Sequence, residues 1–270
     1  MRALLFAAVL LAPPRIAAAD SSPWEVLEPG LELGTFAGPP SVAGDSKIRI
    51  VRIDPARFSL QLLSASAPGE GKPRTARDWC ARSGALAAIN ASMFLNDVRT
   101  SVGLMKTRAH VNNARLSKDN AVLAFDRLDR ALAPAQIIDR QCQDLGTLSP
   151  GYGTLVQSIR MVSCDRKNQW APAAKKWSTA AIGADRKGRV LFIHARSPWP
   201  VHDLVDALLA LPIDLQRLMY TEGGPEAQLY LKAGKREVEA LGSYETGFNE
   251  NDDNTRAWEI PNVIAVTRKK

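Results

Sequence analysis

The sequence predicts an α+β fold, a single domain of mixed, largely antiparallel sheets with flanking helices. Short β-prone runs outnumber helical stretches, and the two kinds do not alternate in the way a doubly wound parallel sheet requires. The 270 residues contain no internal repeat and no low-complexity linker that would mark a second domain.

Along the chain, a Pro/Gly-containing stretch from Pro29 to Gly44 leads to two predicted strands, Ile48 to Ile53 and Phe58 to Leu63. The Asp54-Pro55 turn between them suggests a hairpin-like pair. Thr75 with Asp78 three residues later resembles a capping box, and Gly84 suits a helix end, so a short helix is expected between them. Ala85 to Ile89, Val122 to Phe125 and Arg189 to Ile193 read as further strands. Gly151-Tyr152-Gly153 reads as a turn, since it has neither the third glycine nor the preceding strand of a dinucleotide loop. Pro200 opens a helix whose Leu204, Ala207, Leu208 and Leu211 follow the 3.6-residue period. Leu218 to Thr221 and Gln228 to Lys232 flank a glycine turn. Ser243 to Trp258 reads as a long polar loop, and Val263 to Val266 as the last strand.

Residues 1–19 have the three parts of a secretory signal: cationic Arg2, an apolar run from Ala3 to Ala12, and small residues at Ala17-Ala18-Ala19. That run is too short to span a bilayer, which takes about 20 residues. The expected product is a secreted or periplasmic domain of residues 20–270, with no stable membrane insertion after signal cleavage. Its three cysteines then imply one pair and one leftover thiol. Cys142 and Cys164 are close in sequence and in polar surroundings, whereas Cys80 falls on the apolar face of the first helix. A Cys142–Cys164 bridge is expected. The net charge of +7 is a mild excess with one tight cluster, Arg268-Lys269-Lys270, and gives no support for nucleic-acid binding.

The chain has no His-Glu-x-x-His, no P-loop and no Gly-x-Ser-x-Gly elbow. His110, His194 and His202 read as surface or satisfied core residues. Tyr220-Thr221-Glu222-Gly223-Gly224-Pro225-Glu226 is the strongest local signal, a β-prone run ending in a carboxylate and then two glycines. Glycine admits positive φ and close backbone approach, and successive N–H groups can form an anion-binding concavity. An exposed Glu on a tight turn is the plainer reading of that segment taken alone. In Ala88 to Phe94, Asn90 follows a buried strand with Phe94 behind it, which reads equally as an amide to orient a hydroxyl with an aromatic to pack on a sugar face, or as an Asn-capped strand end with a core Phe. In Val156 to Arg160, Gln157 precedes an Arg160 that either grips phosphate bidentately or, the commoner case on a strand edge, stands as a solvated charge.

Taken in order, these segments resemble the phosphodiester glycosidase family. Ile89 to Phe94 is similar to the family's Ile-Asn-Gly-Gly-Phe-Phe, Gln157 to Arg160 to Gln-Ser-Gly-Pro, and Thr179 to Gly183 to an Arg-Thr-Ala-Ile-Gly strand. Arg186 to Gly188 and Val190 to Ile193 continue that unit. Leu204 to Leu211 then leads to Met219 to Glu226, which resembles Leu-Asp-Gly-Gly-Gly-Ser. Ile260-Pro261-Asn262 is similar to the closing Val-Pro-Asn. The resemblance spans roughly residues 45 to 266. Glu222 replaces an Asp, Thr179 an Arg, Ala91-Ser92 two glycines, and Pro225-Glu226-Ala227 the residues after the turn. Such changes imply an altered substrate or lost activity.

The resemblance implies hydrolysis of a sugar joined through its anomeric carbon to a phosphodiester, in an envelope or extracellular glycan. Glu222 is then the base or nucleophile, Asn90 orients the sugar and Arg160 binds phosphate, all facing one cleft. Gly223, Gly224, Phe94, Gln157 and Asn262 are the supporting substrate-binding residues. Glu226 is either a second carboxylate or an exposed loop residue. The partner is a carbohydrate or sugar phosphate. No cofactor is expected, and a divalent metal is left open, with Asp252-Asp253 lacking calcium-loop spacing. The alternative is a non-catalytic glycan- or phosphoglycan-binding envelope protein of the same fold.

Overall fold

The computed structural model describes residues 22–269, so the expected signal peptide at 1–19 lies outside the described residues. Three antiparallel sheets hold most of the regular secondary structure. The first runs in spatial order β1 (Trp24–Glu28), β2 (Leu31–Ala37), β3 (Lys47–Ile53), β13 (Val190–Trp199), β12 (Trp177–Asp185), β14 (Leu215–Gly223) and β11 (Arg160–Val162). The second is β7 (Val111–Asn113), β6 (Met105–Lys106), β10 (Tyr152–Ser158), β8 (Ala121–Arg127) and β9 (Ala135–Asp139). The third is β16 (Arg236–Leu241), β15 (Gln228–Ala233), β5 (Ala87–Asn90), β17 (Asn262–Arg268) and β4 (Phe58–Ser64). The helices are α1 (Ala76–Ser83), the single turn α2 (Leu145–Leu148) and α3 (Val201–Ala210).

Local signals explain the helices. The Thr75 hydroxyl accepts from the Asp78 N–H at 3.1 Å, and Gly84 closes α1 in the left-handed region at φ 70°. That glycine needs no strain to adopt this angle. Trp79 and Cys80 point inward from the helix. Val201, Leu204, Val205 and Leu208 form the buried stripe of α3 behind Pro200.

The central strands are apolar on both faces because all three sheets meet over one core. Its largest cluster joins Val51, Ile53 and Phe192 of the first sheet to Leu123, Phe125 and Val156 of the second. Ile89, Leu229 and Ile264 of the third complete it. All seven residues of β10 are buried, with Val156 in this cluster and Tyr152 and Leu155 in a second one.

Several expectations change here. The Asp54-Pro55 turn does not make a hairpin, since β3 pairs with β2 and β13, and β4 with β17. The chain changes sheets at that turn. Within the stretch from Pro29 to Gly44 lies all of β2, paired along β3. Tyr152 and Gly153 begin β10 rather than turning. Likewise β14 and β15 flank the glycine turn without pairing with each other, so the turn carries the chain from the first sheet to the third.

Cys142 and Cys164 are joined in a disulfide with Cα atoms 6.6 Å apart, and Cys80 is free and buried. Burial in apolar surroundings pushes the Cys80 thiol up to about 12, which keeps it inert. No helix of the described residues is long and apolar enough to cross a membrane.

Candidate active site

The glycine turn opens onto a cleft of about 650 Å³. Four chain segments build it. Tyr220, Glu222 and Gly223 come from the end of β14, and Glu226 from the short 3-10 turn that follows. Trp177 begins β12, Glu245 comes from the loop after β16, and Met93, Phe94, Leu95, Asn96, Val98 and Val102 form the opposite wall.

A bulge prepares the position of Glu222. Tyr220 lies opposite Ala181 and Glu222 opposite Ala180, which leaves Thr221 as the extra residue of β14. Bulges of this kind re-aim a side chain at the end of a ladder. The N–H of Gly223 donates to Glu222 Oε1 at 3.0 Å and orients the carboxyl. At Gly223 a Cβ would collide with the Tyr220 hydroxyl and the Trp177 ring, and at Gly224, with φ +60°, with the Glu245 carboxylate. The two glycines therefore let the cleft's own side chains close over the turn.

Glu226 is held from beneath. Asn90 Nδ2 donates to the Glu226 carbonyl at 2.9 Å, and Asn90 Oδ1 accepts from the Gln228 N–H at 2.7 Å. The ring of His194 bonds the Ala227 carbonyl at 3.2 Å. His194 is fully buried, and loss of solvation pulls it down to about 3, so it is neutral. Glu245 sits beside Trp177 because its loop is stitched to β12. Ser178 N–H donates to the Tyr244 carbonyl at 2.9 Å, and Thr246 N–H to the Lys176 carbonyl at 3.1 Å. Farther along the loop, Asp252 pairs with Arg196 at 2.7 Å and accepts from the Gly44 N–H.

Three carboxylates thus share a cleft whose described lining residues include no Lys, Arg or His. Desolvation first, and then repulsion from Glu226 and Glu245, pushes Glu222 up to about 8 against the lowering effect of the Gly223 N–H. Glu226 and Glu245 are raised as well, chiefly by desolvation. Tyr220 is also raised, by burial and then by Glu222 and Glu245. The aromatic floor is Trp177 set edge-on to Tyr220 at 6.4 Å, with the Trp170 ring tilted against Tyr220 at 5.3 Å. Trp177 Nε1 is buried with no hydrogen-bond partner among the described residues.

Of the residues expected at the site, Glu222, Gly223 and Phe94 line the cleft. Asn90 lies directly beneath it, with both amide atoms engaged by the turn's main chain, so it positions the turn rather than the sugar. Arg160 is elsewhere. It grips the buried Asp139 with two contacts of 2.8 Å and borders a separate hollow with Lys118 and Gln169. A carboxylate in the core captures the guanidinium, so one cleft does not hold Glu222, Asn90 and Arg160 together. Gln157 is fully buried and braces the loop around Ser117, accepting from the Leu104 and Ser117 N–H groups. Asn262 bonds Asn112 and the Arg99 carbonyl, outside the cleft.

Glu226 is a cleft carboxylate and not a free loop residue. Trp177, Tyr220 and Glu245 were not singled out as site residues in the sequence. Only Tyr220 carried a signal, two positions before Glu222 on the same strand.

A family model described as phosphodiester glycosidase matches residues 83–267, which takes in every segment of the cleft. The chain belongs to the phosphodiester glycosidase family. Among solved structures it is similar to the zebrafish N-acetylglucosamine-1-phosphodiester alpha-N-acetylglucosaminidase catalytic domain auto-inhibited by its pro-peptide. That match has 13% identity and a TM-score of 0.63, covering 90% of this chain and 85% of the other. It is also similar to a hypothetical protein from Synechocystis, at 13% identity and a TM-score of 0.58, covering 93% of this chain and 65% of the other. At such identities the likeness concerns the fold. No curated protein matches the sequence. Thr179 is buried opposite Gly223.

Proposed function

We propose that the chain is an exported hydrolase that cleaves a glycosyl phosphodiester of an envelope or extracellular glycan, releasing the sugar and a phosphomonoester. One observation carries this reading: a carboxyl held protonated at neutral pH sits beside two further carboxylates in a sugar-sized, aromatic-floored cleft. A buried acid beside further carboxyls is the kind of group that carries proton transfer, since burial and like charge move its titration toward neutral pH. Family membership supplies the bond class, and the signal-like residues 1–19 support export.

The pKa of about 8 changes the role that the sequence suggests for Glu222. A carboxyl that carries its proton at neutral pH is a donor, not a base or nucleophile. It lies beside a phosphate oxygen without repelling it, which an ionised carboxylate would not do. In the proposed step the bond from the anomeric carbon to the phosphate oxygen breaks, and its electron pair goes to that oxygen. Glu222 delivers the proton there. Glu226 takes a proton from the attacking water, whose oxygen bonds to the anomeric carbon. The phosphomonoester is a good leaving group, so the weak acidity of Glu222 suffices.

The test is release of free sugar and phosphomonoester from a panel of glycosyl phosphodiesters, followed by NMR with wild type and Glu222→Gln. Equal turnover by both proteins would refute the role of Glu222. A second reading, glycan binding without turnover, draws support from the cleft's lack of a cation for phosphate. Saturable binding of the panel with no sugar release from wild type would establish it in place of the hydrolase.

A further inference from the structure

The wall of the cleft that faces the acids is built from one segment. Met93, Phe94, Leu95, Val98 and Val102 all line it, and the only polar side chain they bring with them is the Asn96 amide. The segment is a tight hairpin. Phe94 bridges to Ser101, the Val102 N–H donates to the Met93 carbonyl at 3.1 Å, and the Leu95 N–H donates to the Thr100 carbonyl at 2.7 Å. At the tip, Asp97 accepts from the Arg99 and Thr100 N–H groups at 3.0 and 2.8 Å and from the Thr100 hydroxyl at 2.6 Å. Asn112 Oδ1 braces the far strand by accepting from the Ser101 N–H at 2.8 Å. Hydrogen bonds of its own thus fix the shape of this wall.

Two of its apolar side chains are turned to solvent. Leu95 is 48% exposed and Val98 40%, and one turn joins them, with the Val98 N–H donating to the Leu95 carbonyl at 2.9 Å. Single apolar side chains scattered over a surface need no explanation, but neighbours on the wall of a concave site do. Val98 also sits at φ 49°, in the left-handed region that a β-branched residue enters only at a cost. Asparagine or glycine would occupy that position without the cost, yet neither would present a hydrocarbon surface to the cleft.

The substrate of the proposed reaction has two parts to place. Its phosphate lies by Glu222 and its sugar by Glu226, beside the Trp177 and Tyr220 floor. The second ester group of the phosphate then runs away from the acids and onto the hairpin. A sugar or other polyol there gains little, since one amide answers its hydroxyls. A hydrocarbon gains by leaving water. We infer that this second ester group is a hydrocarbon chain, seated on Leu95 and Val98. The inference rests on the reading of the cleft as a glycosyl phosphodiester site.

The experiment measures kcat/KM for the methyl, butyl and hexyl esters of one glycosyl phosphate, both below and above the concentration at which the hexyl ester aggregates. As monomers, the hexyl ester should exceed the methyl ester by about tenfold or more, the gain from burying roughly two of the added methylenes. Leu95→Asn and Val98→Asn should each bring that ratio toward one. Asparagine accepts the left-handed region, so the second variant keeps the turn. A wild-type ratio of one, or a decline with chain length, overturns the inference while leaving the hydrolase intact. A hexyl preference retained by both variants overturns it too. A gain confined to the aggregated ester would assign the wall to a lipid surface, and also overturns it. If no ester is cleaved, the hydrolase reading fails, and calorimetry with the methyl and hexyl diesters decides. Tighter binding of the hexyl ester by wild type than by either variant sustains the inference; equal or absent binding ends it.

Discussion

Asp139, at the end of β9, and Glu222, near the end of β14, are both carboxylates drawn out of bulk solvent by a sheet. Around Asp139 each oxygen is answered. Arg160 approaches both at 2.8 Å, and the Gln141 and Cys164 N–H groups donate at 3.0 and 3.2 Å. Around Glu222 there is one backbone N–H and two more acids. The first arrangement is a charge made safe so that a loop junction holds its shape. The second keeps a proton where an open carboxylate would lose it. What separates structure from chemistry here is whether the partner is present, rather than how deeply the acid is buried.

The largest effects should fall on the unanswered acid. Glu222→Gln keeps the shape and removes the transferable proton, so turnover of a glycosyl phosphodiester should drop by about 10²-fold or more. In wild type, kcat should fall as pH rises through about 8, where Glu222 ionises. A rate still climbing beyond that point would contradict the donor role.

On the paired side, Arg160→Ala should cost about 3–5 kcal/mol in urea unfolding, because it strands the Asp139 charge. Changing both partners to apolar residues should cost far less. If the single and double variants prove equally unstable, the pair is not what holds that junction. Removing the neighbouring Cys142–Cys164 bridge, which closes a 22-residue separation, should cost about 3 kcal/mol. A disulfide-free variant with an unchanged midpoint would show that Asp139 alone suffices.

Asn90→Ala should cost about 2 kcal/mol, since it leaves the Gln228 N–H and Glu226 carbonyl unpaired in the interior. It should also lower kcat more than it raises KM, by letting Glu226 drift. The smallest effect concerns stability against pH. A carboxyl whose folded value is raised stabilises fully below its ordinary value near 4.5, and that contribution is lost as pH rises toward about 8. Glu222→Gln should flatten this decline by a few degrees in Tm, reduced by the solvent that reaches the cleft. A pH profile identical to wild type would mean that Glu222 titrates normally.

Much of this was legible in the chain. The cap at Thr75 and Gly84 located α1, the apolar period located α3, and Glu222 with its glycines stood out as a strand-ending carboxylate. Pairings were not legible, because an Asp-Pro turn looks the same whether it folds back or passes to another sheet. Arg160 misled for a related reason. A guanidinium near a glutamine-serine segment suits phosphate equally well, and nothing local reveals that Asp139, twenty-one positions earlier, will claim it. Glu245 lies in a polar loop without periodicity, and hydrogen bonds between that loop and residues 176–178 bring it to the cleft.

The loop that carries Glu245 has one further consequence. It is fastened to β12 and to Arg196, and between those points it closes on itself through the Asn249 and Asn254 amides, which donate to the Ser243 and Gly242 carbonyls. One side of the binding space is therefore a self-contained segment laid across the sheets rather than a part of them.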